Sequence, residues 1–162
     1  MGMILNTIIG GVTSAPQTES VDQLVGPRLA QRDIRYTAAR RLVVRALTTA
    51  PGPQTAAELH EQLRPDVPLS SLYRTLTVLA DNGVLDRQHD GDGLARYELS
   101  EWLKGHHHHL VCNGCGVVTD VAIGHGLEEQ VDEIVEALAG KLGWVASGHR
   151  IDIEGTCPEC SS

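Results

Sequence analysis

Hydrophobic positions along this chain change their rhythm about two thirds of the way through. Before that point the period is helical. Thr37 is placed to cap a helix running to Thr49, with Leu42, Val43, Ala46 and Leu47 as its buried stripe, and Pro51-Gly52-Pro53 ends it. Thr55-Ala56-Ala57-Glu58 is a capping box, in which hydroxyl and carboxylate satisfy each other's orphan backbone donors, and it opens a short helix to Leu63 with Leu59 and Leu63 inward. Residues 64–68 turn the chain. Ser70 then caps a third helix over 71–82 that Gly83 stops, with Leu72, Leu76 and Leu79 facing in and Tyr73, Arg74 and Thr77 facing out. Two short helices joined by a brief turn, the second showing Tyr and Arg near its start, describe a helix-turn-helix. Residues 84–89 and 94–99, separated by Asp90-Gly91-Asp92-Gly93, read as a hairpin, which makes the unit a winged helix. Fold alone would equally allow a protein-docking module.

Beyond a short linker the period shortens. Residues 110–112, 117–121 and 149–154 read as strands, and 127–142 as a helix that should bury Leu127, Val131, Ile134, Val135, Leu138 and Leu142 while showing an acidic outer face. The expected class is α+β: an N-terminal winged helix-turn-helix followed by a small C-terminal α/β domain. The divisions expected are an arm over 1–22, rich in Gly, Thr, Ser and Gln and poorly ordered, a winged-helix domain over 23–100, a hinge over 101–105 and a second domain over 106–162.

A length of 162 residues suits one or two small domains, and without any Phe the core falls to Leu, Val, Ile and Ala. No apolar run is long enough to span a membrane, and the opening residues lack the basic start of a signal peptide, so the cytoplasm is the expected location. The net charge of −8 is unevenly spread. Residues 101–162 carry ten acids against three bases, whereas 23–100 carry ten bases against nine acids. Six arginines, Arg28, Arg32, Arg35, Arg40, Arg41 and Arg45, stand against the single acid Asp33. That leaves the first half a local basic face, the footprint of a nucleic-acid binder, although a solvated charged helix gives the same count.

The chemistry concentrates in the second half. All four cysteines lie in two C-x2-C pairs, Cys112 with Cys115 and Cys157 with Cys160, each after an apolar β-prone run and each with turn residues inside it. Four thiolates so spaced suit one closed tetrahedral zinc site, with sulfur about 2.3 Å from the metal. Two disulfides or a redox pair are the competing uses of that spacing, but no βαβ pattern surrounds either pair. Ahead of the first pair stand His106, His107, His108 and His109. On an extended strand His106 and His108 face one way and His107 and His109 the other, so one run can serve two sites. His60 and His125 fall outside any such pattern. A zinc enzyme would need an open metal position beside a general base, and the H-x-E that would precede P-C-x-x-C in a zinc deaminase is missing.

Four segments in order, Ser71-Leu72-Tyr73-Arg74-Thr75-Leu76, Arg96-Tyr97-Glu98-Leu99, the run 106–115, and Gly155-Thr156-Cys157-Pro158-Glu159-Cys160, make the chain resemble the ferric uptake regulator (Fur) family of bacterial metal-sensing repressors over about residues 29–160. The resemblance implies a homodimer that pairs through its C-terminal domains and clamps a palindromic operator on double-stranded DNA when metal is bound, controlling genes of zinc or iron homeostasis. It implies Zn2+ as the structural metal and a second divalent ion, Zn2+ or Fe2+, as the regulatory ligand. The implied DNA contacts are Ser71, Tyr73, Arg74 and Thr77, with Arg35 and Arg40. His107, His109 and Glu98 are the implied regulatory ligands, completed by Asp86 or His89, because Pro53 stands where the family has a His and Ser100 where its zinc-sensing branch has a Cys. His106 and His108 match a second site, completed by Asp132 and His149, with Glu128 or Glu129 as the alternative acid. A peroxide-sensing member of the family, or a metal-buffering or docking protein without DNA, are the other readings.

Overall fold

The structure, a computed structural model, describes residues 18–89 and 93–161, with the side chains of Thr18, Glu19 and His89 outside that description. Helix α1 (Thr18–Ala30) starts inside the stretch expected to be a loose arm. Its apolar residues Val21, Val25 and Leu29 lie four apart, a single-file stripe that is fully buried against α2 (Ala38–Thr49). Residues 1–17 lie outside the described part.

The next elements follow the expected pattern. Thr37 Oγ1 accepts from the Arg40 N–H at the start of α2, and the Thr55–Glu58 capping box opens α3 (Ala56–Leu63). One cap differs: α4 (Leu69–Asp81) begins after Pro68 with no side-chain cap, so Ser70 lies inside the helix. Pro68 fixes a backbone angle suited to entering a helix and has no N–H to satisfy. Leu72, Leu76 and Leu79 are fully buried, and Asn82 and Gly83, with φ +64°, end the helix.

β2 (Leu85–His89) and β3 (Ala95–Leu99) form the expected hairpin, in register Asp86 opposite Glu98, and β1 (Gln54–Thr55) adds a third antiparallel strand on the far side of β3. The linker holds one helical turn, α5 (Glu101–Lys104). Trp102 pins it by donating its indole N–H to the Gly83 carbonyl at 2.7 Å while the Arg28 guanidinium lies 4.5 Å over its ring.

In the second half β4 (His108–Cys112) is central, antiparallel to β5 (Val118–Val121) and parallel to β6 (Asp152–Gly155). Helix α6 (His125–Lys141) forms where expected, but none of its residues is buried. Of the stripe expected to be buried, Leu127, Ile134, Leu138 and Leu142 are each more than half exposed, and only Val131 and Val135 are half-buried. Among the described residues no other element packs extensively along that face.

The winged helix meets the second sheet at the edge of β5. The Asp120 N–H donates to the Pro51 carbonyl at 2.9 Å, and Arg96 donates to Pro53 O at 3.3 Å and Gly116 O at 3.0 Å. Gly52 is buried in this contact, where a Cβ would collide with the Val118 carbonyl. Among the described residues no helix is long and apolar enough to cross a membrane.

Candidate metal centres and the recognition helix

Parallel pairing of β4 with β6 sets Cys112 beside Gly155, and the Asn113 N–H closes the junction on Gly155 O at 2.8 Å. The two C-x2-C turns therefore face each other, and the four sulfurs lie within 4.8 Å of one another as free thiols. Gly114 permits the approach, since a Cβ there would stand 3.0 Å from the Cys160 sulfur. Backbone N–H groups of Cys157, Cys115 and Gly114 lower the Cys112 thiol to about 6, while its sulfur neighbours, Cys157 first, push Cys160 up to about 12. Four sulfurs this close cannot all ionise unless a cation shares them, which is the chemistry of a closed tetrahedral thiolate site.

On one face of β4 the imidazoles of His107 and His109 meet Glu98 of the wing strand and Asp120 of β5. Glu98 Oε2 is 2.8 Å from His107 Nε2 and 3.4 Å from His109 Nε2, and Asp120 Oδ1 is 3.9 and 3.7 Å from the same two nitrogens. The outer ring nitrogens are held: His107 Nδ1 donates to Gly105 O at 2.9 Å and His109 Nδ1 to Asp152 at 3.0 Å. That tautomer turns each Nε2 lone pair into the cluster, the usual way protein ligands are oriented on a metal. Asp120 Oδ1 is buried with no hydrogen-bond partner. An acceptor so placed among three other donor atoms fits a cation. Burial pushes the Glu98 carboxyl up, but hydrogen bonds from His107 and His109 outweigh it and bring it down to about 2. The Glu98 hydrogen bond raises both imidazoles above their ordinary value, against the opposing effect of burial.

Asp86, expected to complete this set, is not in the cluster; its carboxylate accepts from Ser100 Oγ at 2.9 Å. It pairs with Glu98 across the hairpin and lines the outer cleft instead. The side chain of His89 lies outside the described residues. Asp120 supplies the fourth donor. Sequence reasoning missed it, because only the antiparallel register of β5 on β4, which sets Asp120 directly opposite His109, brings it to the site.

On the other face His106, His108 and His149 surround Glu128. His108 Nε2 is 3.1 Å from Glu128 Oε1, and His149 Nε2 and His106 Nε2 are 3.3 and 3.7 Å from Oε2. Glu128 Oε2 and His108 Nδ1 are buried without hydrogen-bond partners. The acid in this cluster is therefore Glu128, on the first turn of α6, rather than Asp132. Asp132, one turn later, places its carboxylate 3.1 Å from His149 Nδ1, and Glu101 accepts from His106 Nδ1 at 2.8 Å. Both act behind the imidazoles, turning Nε2 inward. Glu129 is left facing His125 at the surface.

In the winged helix, α4 presents Tyr73, 53% exposed, with Arg74 and Thr77 exposed beside it and Ser71 half-buried. Arg35 is exposed, and Arg40 is half-buried with its guanidinium on the Arg35 carbonyl. Other arginines of the basic run hold the fold: Arg45 pairs with Asp22 at 2.7 Å, Arg32 reaches Asn82 at 3.2 Å, and Arg41 lies 4.6 Å over the Tyr36 ring. The basic face is thus narrower than the count of arginines implied.

These parts define a winged-helix protein whose wing shares a cluster of metal-binding donors with a second, cysteine-clamped α/β domain. The family model of the ferric uptake regulator family matches residues 31–154. The ferric uptake regulation protein of Bacillus subtilis is 32% identical over 139 residues, covering 83% of this chain and 90% of that protein. Among solved structures, the ferric uptake regulator of Helicobacter pylori, described as having three functional metal binding sites, superposes with a TM-score of 0.72 at 21% identity, covering 93% of this chain and 98% of that one. A zinc uptake regulator complexed with zinc and DNA gives a TM-score of 0.58 at 24% identity, covering 90% and 96%. The chain belongs to the ferric uptake regulator family, and with it to the metal-dependent transcriptional regulators rather than the enzymes.

Proposed function

We propose that this chain is a cytoplasmic repressor that binds a palindromic operator as a homodimer when its regulatory site holds a divalent metal, and so controls genes of metal homeostasis. The observation that carries the reading is that Glu98, from the wing, lies in one cluster with His107, His109 and Asp120 of the second domain. A cation bound there supplies charge that the two carboxylates and two imidazoles can share only when wing and sheet keep one relative orientation. The donors are nitrogen and oxygen with no thiolate, a set suited to zinc or ferrous iron. Cys112, Cys115, Cys157 and Cys160 would hold a structural zinc, and His106, His108, Glu128 and His149 a further ion.

In this reading Tyr73 and Arg74 meet bases and backbone in the major groove, with Ser71, Thr77, Arg35 and Arg40 flanking them. Half-sites would lie about one helical turn, or a multiple, apart. The complexed zinc uptake regulator lends the DNA reading support by its fold alone. A switch of this kind needs unequal affinity, because a ligand held equally by two orientations shifts neither.

The test is DNA binding, by fluorescence anisotropy on the chain's own promoter region, across zinc, iron, manganese and nickel titrations. Affinity is expected to rise with occupancy of the Glu98 site, and His107→Ala with His109→Ala to abolish that rise while circular dichroism stays unchanged. Equal DNA binding with and without chelator sinks the reading.

A further inference from the structure

The cluster of Glu98, His107, His109 and Asp120 contains a fifth charged group. Lys104, the last residue of α5, places its ammonium on Asp120 Oδ2 and 3.7 Å from Glu98 Oε2, the same oxygen that faces both imidazoles. The contact is sheltered: the side chains of Lys104, Asp120 and Glu98 are 16%, 18% and 5% exposed. Asp86, Arg87, Glu101 and Arg150 line the adjoining cleft. A divalent cation held by Glu98 Oε2 and Asp120 would stand within about one contact distance of the ammonium, where like charges in a sheltered site repel strongly.

We propose that Lys104 is a tethered rival of the regulatory metal: its ammonium and a divalent cation compete for the carboxylates of Glu98 and Asp120, and Lys104 must withdraw for the site to fill. The inference rests on the reading of this cluster as the regulatory site and adds a rule to it. The lysine sets the metal concentration at which the switch responds. Because it ends the hinge turn directly before Gly105, whose carbonyl orients His107, its withdrawal also loosens the hinge from the sheet.

Two measurements test this. In the first, zinc and manganese affinities are taken by calorimetry with a competing chelator for the parent chain, Lys104→Met and Lys104→Arg. Lys104→Met is expected to bind about tenfold more tightly or better, since it removes the rival charge, while Lys104→Arg, which keeps a cation, stays close to the parent. The second uses the unaltered chain, whose only lysines are Lys104 and Lys141. Acylation by an amine-reactive ester, followed by mass spectrometry, should speed up at Lys104 when metal is added and stay constant at the exposed Lys141. Equal or weaker binding by Lys104→Met would mean that the lysine merely positions Asp120 and overturns the proposal, as would an unchanged acylation rate at Lys104. His107→Ala with His109→Ala separates the two failures. If that pair leaves metal binding untouched, the regulatory site itself has been misread; if it removes binding and Lys104→Met tightens nothing, only the rivalry falls.

Discussion

His107 and His109 show how much of a site a single residue can set. Each holds its outer nitrogen on a fixed acceptor and turns the inner one toward Glu98, so protons and a metal must compete for the same lone pairs. Both imidazoles sit above their ordinary value of 6.5 because Glu98 favours the protonated form. Metal affinity at this site is therefore expected to fall as pH drops through that raised value, by up to about tenfold per pH unit for each imidazole that must lose a proton. Titration calorimetry between pH 6 and 8.5 in buffers of different ionisation heat would read the released protons directly. In chelated protein the sign reverses. The folded chain holds these protons more tightly than the unfolded one, so this stabilisation is complete below 6.5 and lost as pH rises through the raised value. The Glu98 part runs the other way, full above 4.5 and lost as pH falls toward about 2. Thermal melts of chelated protein should show both edges. The second cluster offers a cleaner division of labour. Glu128→Ala removes a carboxylate that faces three imidazoles, whereas Asp132→Ala removes only the carboxylate behind His149. Asp132→Ala should weaken metal binding there by about tenfold, in the range for a residue behind the ligands, and Glu128→Ala by much more. Equal losses would return Asp132 to the ligand set. Glu128 and Asp132 sit one turn apart on the same helix face, so spacing alone could not choose between them.

At the scale of elements, legibility followed period and capping. Helices α2 and α3 carry a stripe with a Thr cap or a capping box, the wing is marked by its turn residues and α6 by its stripe, and each formed close to its expected bounds. Helix α1 was hidden because Gly26 and Pro27 interrupt it and its stripe is only one residue wide. The hinge turn α5 and the strand β1 are too short to show a period at all, and both matter, since α5 carries Trp102 and Lys104 and β1 adds an edge to the wing. The loop Pro51-Gly52-Pro53 was legible only as a helix stop. Its second role, contact with β5, comes from pairing between residues far apart in sequence, through the Asp120 N–H and the Pro51 carbonyl. Asp120 thus joins the cluster of Glu98, His107 and His109 by its side chain and the winged helix by its backbone. Gly52→Ala, which sets a methyl group against the Val118 carbonyl, should cost about 1–3 kcal/mol of stability. It should also blunt the gain in DNA affinity on adding metal while leaving the four-cysteine site filled. Melts and anisotropy read the two effects separately, and a variant matching the parent in both would show that the two halves are not coupled through this loop.

The whole molecule leaves one account open, and it is hydrophobic. Among described residues the apolar core lies almost entirely in the winged helix, built on residues such as Val25, Leu47, Leu72 and Leu79, while no residue of α6 is fully buried. Leu127, Ile134 and Leu138 are exposed by 56, 58 and 57%, and Leu110 and Ile153 of the sheet by 44 and 47%. In the proposed homodimer a second copy would cover this apolar helix face, which would account for a stripe that the sequence places inward and the structure leaves exposed. The two readings of that stripe differ in a measurable way. If it serves a two-fold interface, Ile134→Glu with Leu138→Glu places four carboxylates in it, two from each copy, and should weaken self-association by about two orders of magnitude or more. The variant chain should then sediment as a monomer near 17.4 kDa at concentrations where the parent does not. Each chain keeps its own cysteine and Glu98 clusters, so metal content per chain should stay the same, but operator affinity should fall steeply because two linked recognition helices become two separate ones. A variant that sediments like the parent would show that α6 faces something other than a second copy.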